Sequence, residues 1–132
     1  MDKTARLKKF AFPKKEKLKS KKLIEQLFAE GKSITVFPLK LIYLPIVFDD
    51  DVQFKTMVVA PKKNFKSAVK RNRVKRLLRE AYRLNKPYIF NNIEGNFALA
   101  ILYIGKEMPD YHLVELKTKG LLEQFVKKYN HE

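Results

Sequence analysis

The segment AVKRNRVKRLLREAYR, residues 68–83, constrains the fold most, because it combines helical apolar spacing with a high density of positive charge. It contains five arginines, two lysines and a single acidic residue, Glu80. At about 100° per residue, a helix separates these apolar side chains from the cations. The sequence predicts a helix with an apolar stripe of Val74, Leu77, Leu78 and Ala81. The opposite, cationic stripe is predicted to contain Asn72, Arg76, Arg79 and Arg83, with Arg71, Arg73 and Lys75 beside it.

Fold stability does not explain this arrangement. Arg71 and Arg73 lie early in the helix, where the macrodipole disfavours positive charge. Only Glu80 is placed to relieve the repulsion, through Arg76 and Arg83. A face made mostly of arginine suits phosphate, because the planar guanidinium forms paired hydrogen bonds and stacks on bases. The pattern therefore indicates a helix that binds nucleic acid.

The charge of the whole chain supports the same interpretation. The 132 residues carry a formal net charge of +15. Residues 1–22 contribute +8 and residues 62–83 contribute +9, whereas residues 23–61 sum to −2 and residues 84–132 to zero. Charge concentrated in two short blocks points to a polyanionic partner. Nucleic acid is favoured over a solubilising surface or an anionic membrane surface.

The composition excludes or disfavours several other kinds of site. The chain has no cysteine, so disulfides, thiolate metal sites and cysteine nucleophiles are excluded. It shows no membrane-length apolar run and no signal peptide, and we expect a cytoplasmic protein. Three adjacent carboxylates, Asp49–Asp51, fit a solvated turn better than a metal site. The two histidines, His112 and His131, are expected far apart on one helix. We predict no catalytic residue and no metal site in this chain.

The first half of the chain predicts an arm, a helix and two β regions. Residues 1–19 are lysine-rich without a sustained period, and we interpret them as a flexible N-terminal arm that precedes the domain, residues 20–132. Ser20 is placed to cap a first helix that ends at Gly31. Residues 34–48 are rich in β-forming side chains but contain two prolines, which indicate an edge strand or bulges. A hairpin loop at residues 49–51 and a strand over residues 52–60 are expected to follow.

The second half predicts the centre of the sheet and the last helix. Residues 85–96, NKPYIFNNIEGN, are expected to form a loop after the basic helix. The continuously apolar run Phe97–Ile104, FALAILYI, suits a central strand covered on both faces. A final helix is predicted over Tyr111–Tyr129. This order of elements predicts an α+β sandwich, in which a sheet of roughly four strands packs with three helices.

The basic segment also carries a resemblance to a known family. RNRVKRLLRE, residues 71–80, resembles the arginine–asparagine–arginine signature of the protein subunit of bacterial ribonuclease P. KLKSKKLIEQLFAEGKS resembles that family's first helix, MVVAPKKNFKSAVKRNR its strand–loop–helix entry, and YHLVELKTKGLLEQFVKK its final helix. The likeness covers most of the chain. It implies the family's rare left-handed strand–helix–strand crossover, against the right-handed connection that the general rule predicts.

The resemblance also implies a binding site. In the family the basic helix contacts the catalytic RNA, and a cleft between this helix and the sheet holds the single-stranded 5′ leader of precursor tRNA. Phe28 matches the cleft phenylalanine that closes the first helix, although its spacing fits a core residue equally well. The cleft aromatic of the first long strand corresponds to Ile42 or to its neighbour Tyr43. The RNA-binding positions implied here are Lys17, Arg71, Asn72, Arg73, Lys75, Arg76 and Arg79, and further candidates are Lys62, Lys63 and Arg83.

The function implied is that of an RNA-binding subunit that assists endonucleolytic removal of the 5′ leader. The resemblance further implies that the ribonucleoprotein is a hydrolase, that the chain alone is non-catalytic, and that Mg²⁺ is held mainly by the RNA subunit and the substrate. The partners implied are the catalytic RNA and precursor tRNA. A ribosomal-type RNA-binding protein would share the charge and the size, and it is the alternative. A stand-alone nuclease needs convergent carboxylates or a histidine pair, and the predicted basic groove offers only Glu80.

Overall fold

The computed structural model describes residues 11–130, which form one four-stranded sheet, three α-helices and a short 3-10 turn at Lys14–Glu16. The helices are α1, Lys21–Glu30; α2, Ala68–Asn92; and α3, Tyr111–Asn130. The strands are β1, Lys32–Val36; β2, Leu39–Pro45; β3, Phe54–Val59; and β4, Phe97–Tyr103. The predicted α+β class, with three helices on a sheet of four strands, is confirmed. Residues 1–10 of the predicted arm and His131 lie outside the described residues.

The first β region is a hairpin rather than one interrupted strand. β1 pairs antiparallel with residues 39–43 of β2, and the turn between them contains Phe37 and Pro38. β2 also pairs with β4, so it is a central strand. The expectation of an edge strand is therefore wrong for β2, but it holds for residues 34–36, which lie in the edge strand β1. Pro38 lies in the turn and Pro45 is the last residue of β2, and at these positions a proline removes no hydrogen bond from the interior of the ladder.

The acidic loop Asp49–Asp51 does not close a hairpin. The strand order is β1-β2-β4-β3, so β4 lies between β2 and β3, and β3 runs parallel to β4 at one edge of the sheet. The predicted hairpin is wrong because β4 occupies the position beside β2. β4 has no polar face, and a strand of this kind is buried most completely between two neighbours and two layers of helices.

The connection β3–α2–β4 is left-handed. The Phe97 N–H donates to the Gln53 carbonyl at the start of β3, while the Phe97 side chain packs on the face of the sheet that α2 covers. Viewed from that face with β4 running upward, L-chirality places this N–H, and hence β3, to the right of β4. From β3, on the right, the chain therefore passes through α2, which lies between the sheet and the viewer, to β4 on the left. This confirms the crossover that the resemblance implied, against the general right-handed rule.

The sheet is covered on both faces, and β4 shows why. Phe97, Leu99 and Ile101 point toward α2 and α3, whereas Ala98 and Ala100 point toward α1, and each of the five is at most 2% exposed. The small alanines leave room for α1, whose Leu27 is fully buried against them. The prediction of a doubly covered central strand is confirmed. The two faces of the sheet are covered to different extents, because two long helices, α2 and α3, lie on one face and the ten-residue helix α1 lies alone on the other.

Helix α2 extends nine residues beyond Arg83, to Asn92, through the segment predicted to be a loop. Pro87 and the asparagines of that segment favour a helix end locally. Tertiary packing overrides this preference: Tyr82 and Ile89 are fully buried, and the Phe90 ring lies 5.0 Å from the Phe54 ring. The loop prediction is therefore wrong for residues 85–92, where these contacts outweigh local propensity, and holds for residues 93–96.

Residues 11–19, the N-terminal segment, pack against the domain. Leu18 is 5% exposed, and its N–H donates to the Thr56 carbonyl on the open edge of β3. The Phe12 ring meets the Tyr82 ring edge-on at 5.3 Å. Glu16 forms an ion pair of 2.6 Å with Lys86, which is 3% exposed. The expectation of a flexible arm therefore stays a prediction only for residues 1–10, because residues 11–19 pack on the domain and pair with the edge of β3 at Thr56.

Candidate nucleic-acid interface

The basic helix presents the two faces that the sequence predicted. Val74, Leu78 and Ala81 are fully buried in the core, and Leu77 is half-buried beside them. Ser67 is the N-cap of the helix, because its hydroxyl accepts a hydrogen bond from the Lys70 N–H. On the outer side the exposed residues are Asn72, Arg73, Arg76 and Arg79, and Lys75 is half-buried. We call these five residues the cationic face of α2.

Arg71, beside the predicted stripe, and Arg83, at its end, have partners within the protein. The Arg71 guanidinium donates to the carbonyls of Phe65 and Lys66, at 2.9 and 2.8 Å, and so holds the loop that precedes α2. Arg83 forms an ion pair of 2.6 Å with Glu80, and its hydrogen bond lowers the pKa of that carboxyl. Both arginines therefore have a structural role in addition to the RNA contact proposed for them.

The three arginines of the cationic face have no ion-pair partner among the described residues. Glu80 pairs with Arg83, and within residues 11–130 no ion pair or hydrogen bond engages Arg73, Arg76 or Arg79. The expected relief of Arg76 by Glu80 is absent from this described part of the chain. Three neighbouring guanidinium groups thus face solvent, and the acid nearest in sequence, Glu80, pairs with Arg83 instead. Such a group has its full set of donors available to a phosphate.

The loop before α2 carries two of the other predicted cations. Phe65 is 6% exposed and its ring lies 5.8 Å from that of Tyr103, while the Asn64 amide donates to the Ile104 carbonyl at 3.4 Å. These contacts anchor the loop to the end of β4. Lys62 and Lys63, at the tip of the loop, are exposed. The loop therefore holds both lysines in solvent next to the first turn of α2.

The face of the sheet beneath α1 is only partly covered. Ile42, Met57 and Leu102 all point to this face, and all three stay half-buried after α1 has packed. Phe28, on α1, is 44% exposed, so it is not a core residue. An apolar surface thus lies beside α1, and α1 itself carries the exposed Phe28 ring. We call Phe28, Ile42, Met57 and Leu102 the open sheet face.

Of the two strand candidates for the cleft, only Ile42 lies on this face. Tyr43 points to the opposite face, is 4% exposed, and packs its ring 5.0 Å from Phe125 and 6.3 Å from Phe97. Successive residues of a strand face opposite ways, so the two positions never line one surface. Tyr43 is therefore corrected to a core residue, and the aromatic ring expected on the strand is replaced here by an aliphatic side chain.

A small concavity joins the open sheet face to the cationic face of α2. It holds about 220 Å³, lies along the edge of β3, and is lined by Lys17, Lys19, Met57 and Arg79 among others. The structure thus brings together two predicted RNA-binding residues that lie more than sixty positions apart in the sequence. Sequence reasoning missed Met57 and Lys19. Only the alternation along β3 pointed to Met57, and only the charge of the N-terminal block pointed to Lys19.

The acidic side chains of the described residues do not cluster around a possible metal site. Asp50 pairs with Lys55 at 3.1 Å, and this hydrogen bond lowers the pKa of the Asp50 carboxyl. Within residues 11–130, no group of three or more histidine, cysteine, aspartate or glutamate side chains is arranged to hold a metal ion. In the same residues, no helix is both long and apolar enough to cross a membrane.

Comparison with known proteins gives a consistent result. A family model for ribonuclease P matches residues 12–128. The ribonuclease P protein component of Porphyromonas gingivalis is 40% identical over 111 residues, which is 80% of each chain. That of Chlorobium phaeobacteroides is 36% identical over 122 residues, covering 83% of this chain and 84% of the relative.

Solved structures share the fold at lower sequence identity. The RNase P protein of Staphylococcus aureus superposes with a TM-score of 0.67 at 15% identity, covering 83% of this chain and 94% of the other. The RNase P protein of Thermotoga maritima gives a TM-score of 0.64 at 24% identity, covering 83% and 96%. These two similarities show the fold.

Proposed function

The chain belongs to the ribonuclease P protein family, and from this membership we propose that it binds the catalytic RNA subunit through the cationic face of α2 and the 5′ leader of precursor tRNA through the open sheet face. Its role as a protein component of ribonuclease P follows from the family. Family membership also disfavours the ribosomal-type alternative. Beyond this role, we propose the two binding surfaces, the non-catalytic character of the isolated chain and its cytoplasmic location.

One observation carries the assignment of the RNA subunit to α2: three exposed arginines stand together, and no acid of residues 11–130 forms an ion pair with them. An arrangement of this kind is electrostatically unfavourable in the free protein. Contact with phosphates offsets that repulsion and releases counterions from the RNA. Lys62 and Lys63 extend the same surface along the loop, and Lys17 extends it to the edge of β3.

The open sheet face suits a single strand whose sequence varies. Bases stack on aromatic and apolar side chains in a largely sequence-tolerant way, because every base has a π-face. Phe28, Ile42, Met57 and Leu102 supply such a surface, and Lys17, Lys19 and Arg79 stand at its margin. A leader that differs from one precursor to the next needs this tolerance.

We place the chemistry on the RNA. Mg²⁺ held by the RNA subunit and the substrate supplies the activated water and stabilises the leaving oxygen. The protein's own side chains then neutralise RNA repulsion and hold the leader. This division lowers the Mg²⁺ concentration that cleavage requires and tightens the binding of precursor.

Changing Arg76 and Arg79 together to alanine is expected to weaken binding to the RNA subunit roughly thirtyfold at about 0.15 M salt, since each phosphate contact contributes a slope of about −0.9 in log K against log salt. The slope itself should become shallower by about 2. Both side chains lie opposite the buried stripe of α2, so thermal unfolding should be unchanged. Filter binding over a salt series measures both quantities.

The matched control removes two exposed lysines of α3, Lys119→Ala with Lys127→Ala, and so changes the net charge equally. It should retain most of the wild-type affinity. If the control loses as much affinity as the arginine variant, binding reflects total charge and the assignment to α2 fails. An unchanged slope with weaker folding in the arginine variant would mean that these arginines are structural.

The wild-type protein is expected to tighten the binding of a precursor with a long leader to the RNA subunit, and to leave the binding of mature tRNA nearly unchanged. Ile42→Asp should reduce the preference for the precursor over mature tRNA about tenfold. A charged side chain on the open sheet face loses the base contact, and its desolvation costs free energy. Comparing the dissociation constants of the two substrates, with and without protein, measures the effect. Equal improvement for both substrates would contradict the leader assignment.

A further inference from the structure

A larger concavity lies at the carboxyl end of β4, on the α3 side of the sheet. Its volume is about 650 Å³, within the usual range for small-ligand sites. The β1–β2 turn, the residues after β4 and the first turns of α3 form its walls. We call it the β4-end pocket, and the residues that matter for its chemistry are Phe37, Tyr103, Ile104, Lys106, Leu113 and Lys117.

The pocket combines an apolar interior with a rim on which two lysines, Lys106 and Lys117, outnumber the one acidic lining residue, Glu107. Tyr103 is 2% exposed, and its ring is fixed because its hydroxyl donates to the Glu107 carbonyl at 2.5 Å. Phe37, on the opposite wall, is 66% exposed. Lys106 and Lys117 lie at the rim and have no ion pair within residues 11–130. An aromatic ring left in solvent beside unpaired cations suits a ligand that carries both a flat apolar group and an anionic group.

The pocket is continuous with the basic surface of α2. The loop that carries Lys62 and Lys63 is attached to the pocket's wall, through the Asn64 hydrogen bond to the Ile104 carbonyl and the ring contact between Phe65 and Tyr103. An RNA strand that leaves the amino-terminal end of α2 along these lysines therefore reaches the pocket without crossing the sheet.

We propose that the β4-end pocket receives one unpaired nucleotide of the catalytic RNA subunit, with its base against Phe37 and its phosphate on Lys106 and Lys117. The inference rests on the proposed function. It assigns the nucleotide to the RNA subunit and not to the leader, because the leader surface lies on the α1 face and the pocket lies on the α3 side. A nucleotide held here fixes the orientation of the RNA at a second point, away from the arginines.

Phe37→Ala is expected to weaken binding to the RNA subunit about tenfold, the loss typical of one stacked base. Lys106→Ala with Lys117→Ala should make the salt slope shallower by about 1, because the two lysines share one phosphate. The matched controls are Leu116→Ala, which removes an exposed apolar side chain of α3, and Lys119→Ala with Lys127→Ala. Both controls should bind the RNA subunit as the wild type does. Circular dichroism and thermal unfolding verify that all variants are folded.

Photocrosslinking from the same position identifies the source of the nucleotide. With Phe37→p-benzoylphenylalanine in the assembled complex, we expect a crosslink to a single unpaired site of the RNA subunit, reduced when Lys106 and Lys117 are also replaced. A crosslink to the precursor leader alone, or none, overturns the proposal, as does a Phe37→Ala variant that binds as tightly as Leu116→Ala. Failure of the wild type to bind the RNA subunit would instead overturn the proposed function itself.

Discussion

Replacing Glu16 by alanine is expected to lower the free energy of unfolding by about 3–5 kcal/mol, because it leaves the Lys86 ammonium buried without its counter-ion. The side chain of Lys86 is 4% exposed and that of Glu16 is 13% exposed, and their charged atoms are 2.6 Å apart. Apart from Glu16, the ammonium group faces the Phe90 ring at 5.2 Å, which offers only a weak cation–π contact. Urea unfolding of the full chain measures the loss.

Two control variants test whether the loss of stability comes from leaving a buried charge unpaired. Replacing both partners with apolar residues of similar size, Glu16→Leu with Lys86→Met, should restore stability close to that of the wild type, because no buried charge remains. Glu115→Ala removes one partner of an exposed ion pair with Lys119, 3.5 Å long, and should cost no more than about 1 kcal/mol. If Glu16→Ala is as mild as Glu115→Ala, the N-terminal segment does not seal this site in solution.

The same ion pair shows what the sequence could not predict. Glu16 stands in a segment interpreted as an arm, and Lys86 in one interpreted as a loop, so neither was expected to be buried. The two residues are 70 positions apart. Their pairing depends on the left-handed crossover, which sets α2 beside the open edge of β3, where the N-terminal segment also lies. No local pattern encodes such a contact.

The elements that were predicted correctly have strong periodicity of their own. β4 is apolar at nearly every position, and the first two-thirds of α2 separate apolar from cationic residues by face, so each pattern favours one structure. The β1–β2 hairpin was missed because Pro38 was interpreted as an interruption within a strand and not as part of a turn. The order of the strands was missed because pairing between distant segments leaves no signature in either one.

The candidate site likewise contains features that the sequence predicts and features that depend on distant parts of the chain. The arginine side chains that reach solvent follow from helical geometry, and the structure leaves Arg73, Arg76 and Arg79 exposed as expected. The bonds that hold Arg71 to the preceding loop depend on the fold of that loop. The choice between Ile42 and Tyr43 depends on which face of β2 meets α1. Gly31 contributes to that contact, because a side chain there would come within 2.7 Å of Ile42 and would strike the Leu27 carbonyl.

The purified protein is expected to cleave no precursor tRNA by itself, whereas its complex with the ribonuclease P RNA subunit should release the 5′ leader in a reaction that requires Mg²⁺. The reason is the kind of side chain that the proposed surfaces supply. The cationic face of α2 consists of arginines, a lysine and an asparagine, and the open sheet face is apolar. Hydrolysis of a phosphodiester needs a positioned base, or metal ions that activate water and stabilise the leaving oxygen.

The assay is single-turnover cleavage of one precursor with a labelled leader, over a range of Mg²⁺ concentrations, with three samples: protein alone, RNA subunit alone, and both. Protein alone should give no product beyond that of buffer. With the RNA subunit, the protein should lower the Mg²⁺ concentration needed for half-maximal cleavage, because its cations offset the repulsion that Mg²⁺ otherwise screens. Arg76→Ala with Arg79→Ala should shift that concentration back toward the value of the RNA alone. Product at the mature 5′ end from protein freed of RNA by nuclease treatment would show that the chain itself supplies the chemistry, and the proposed division between protein and RNA would be wrong.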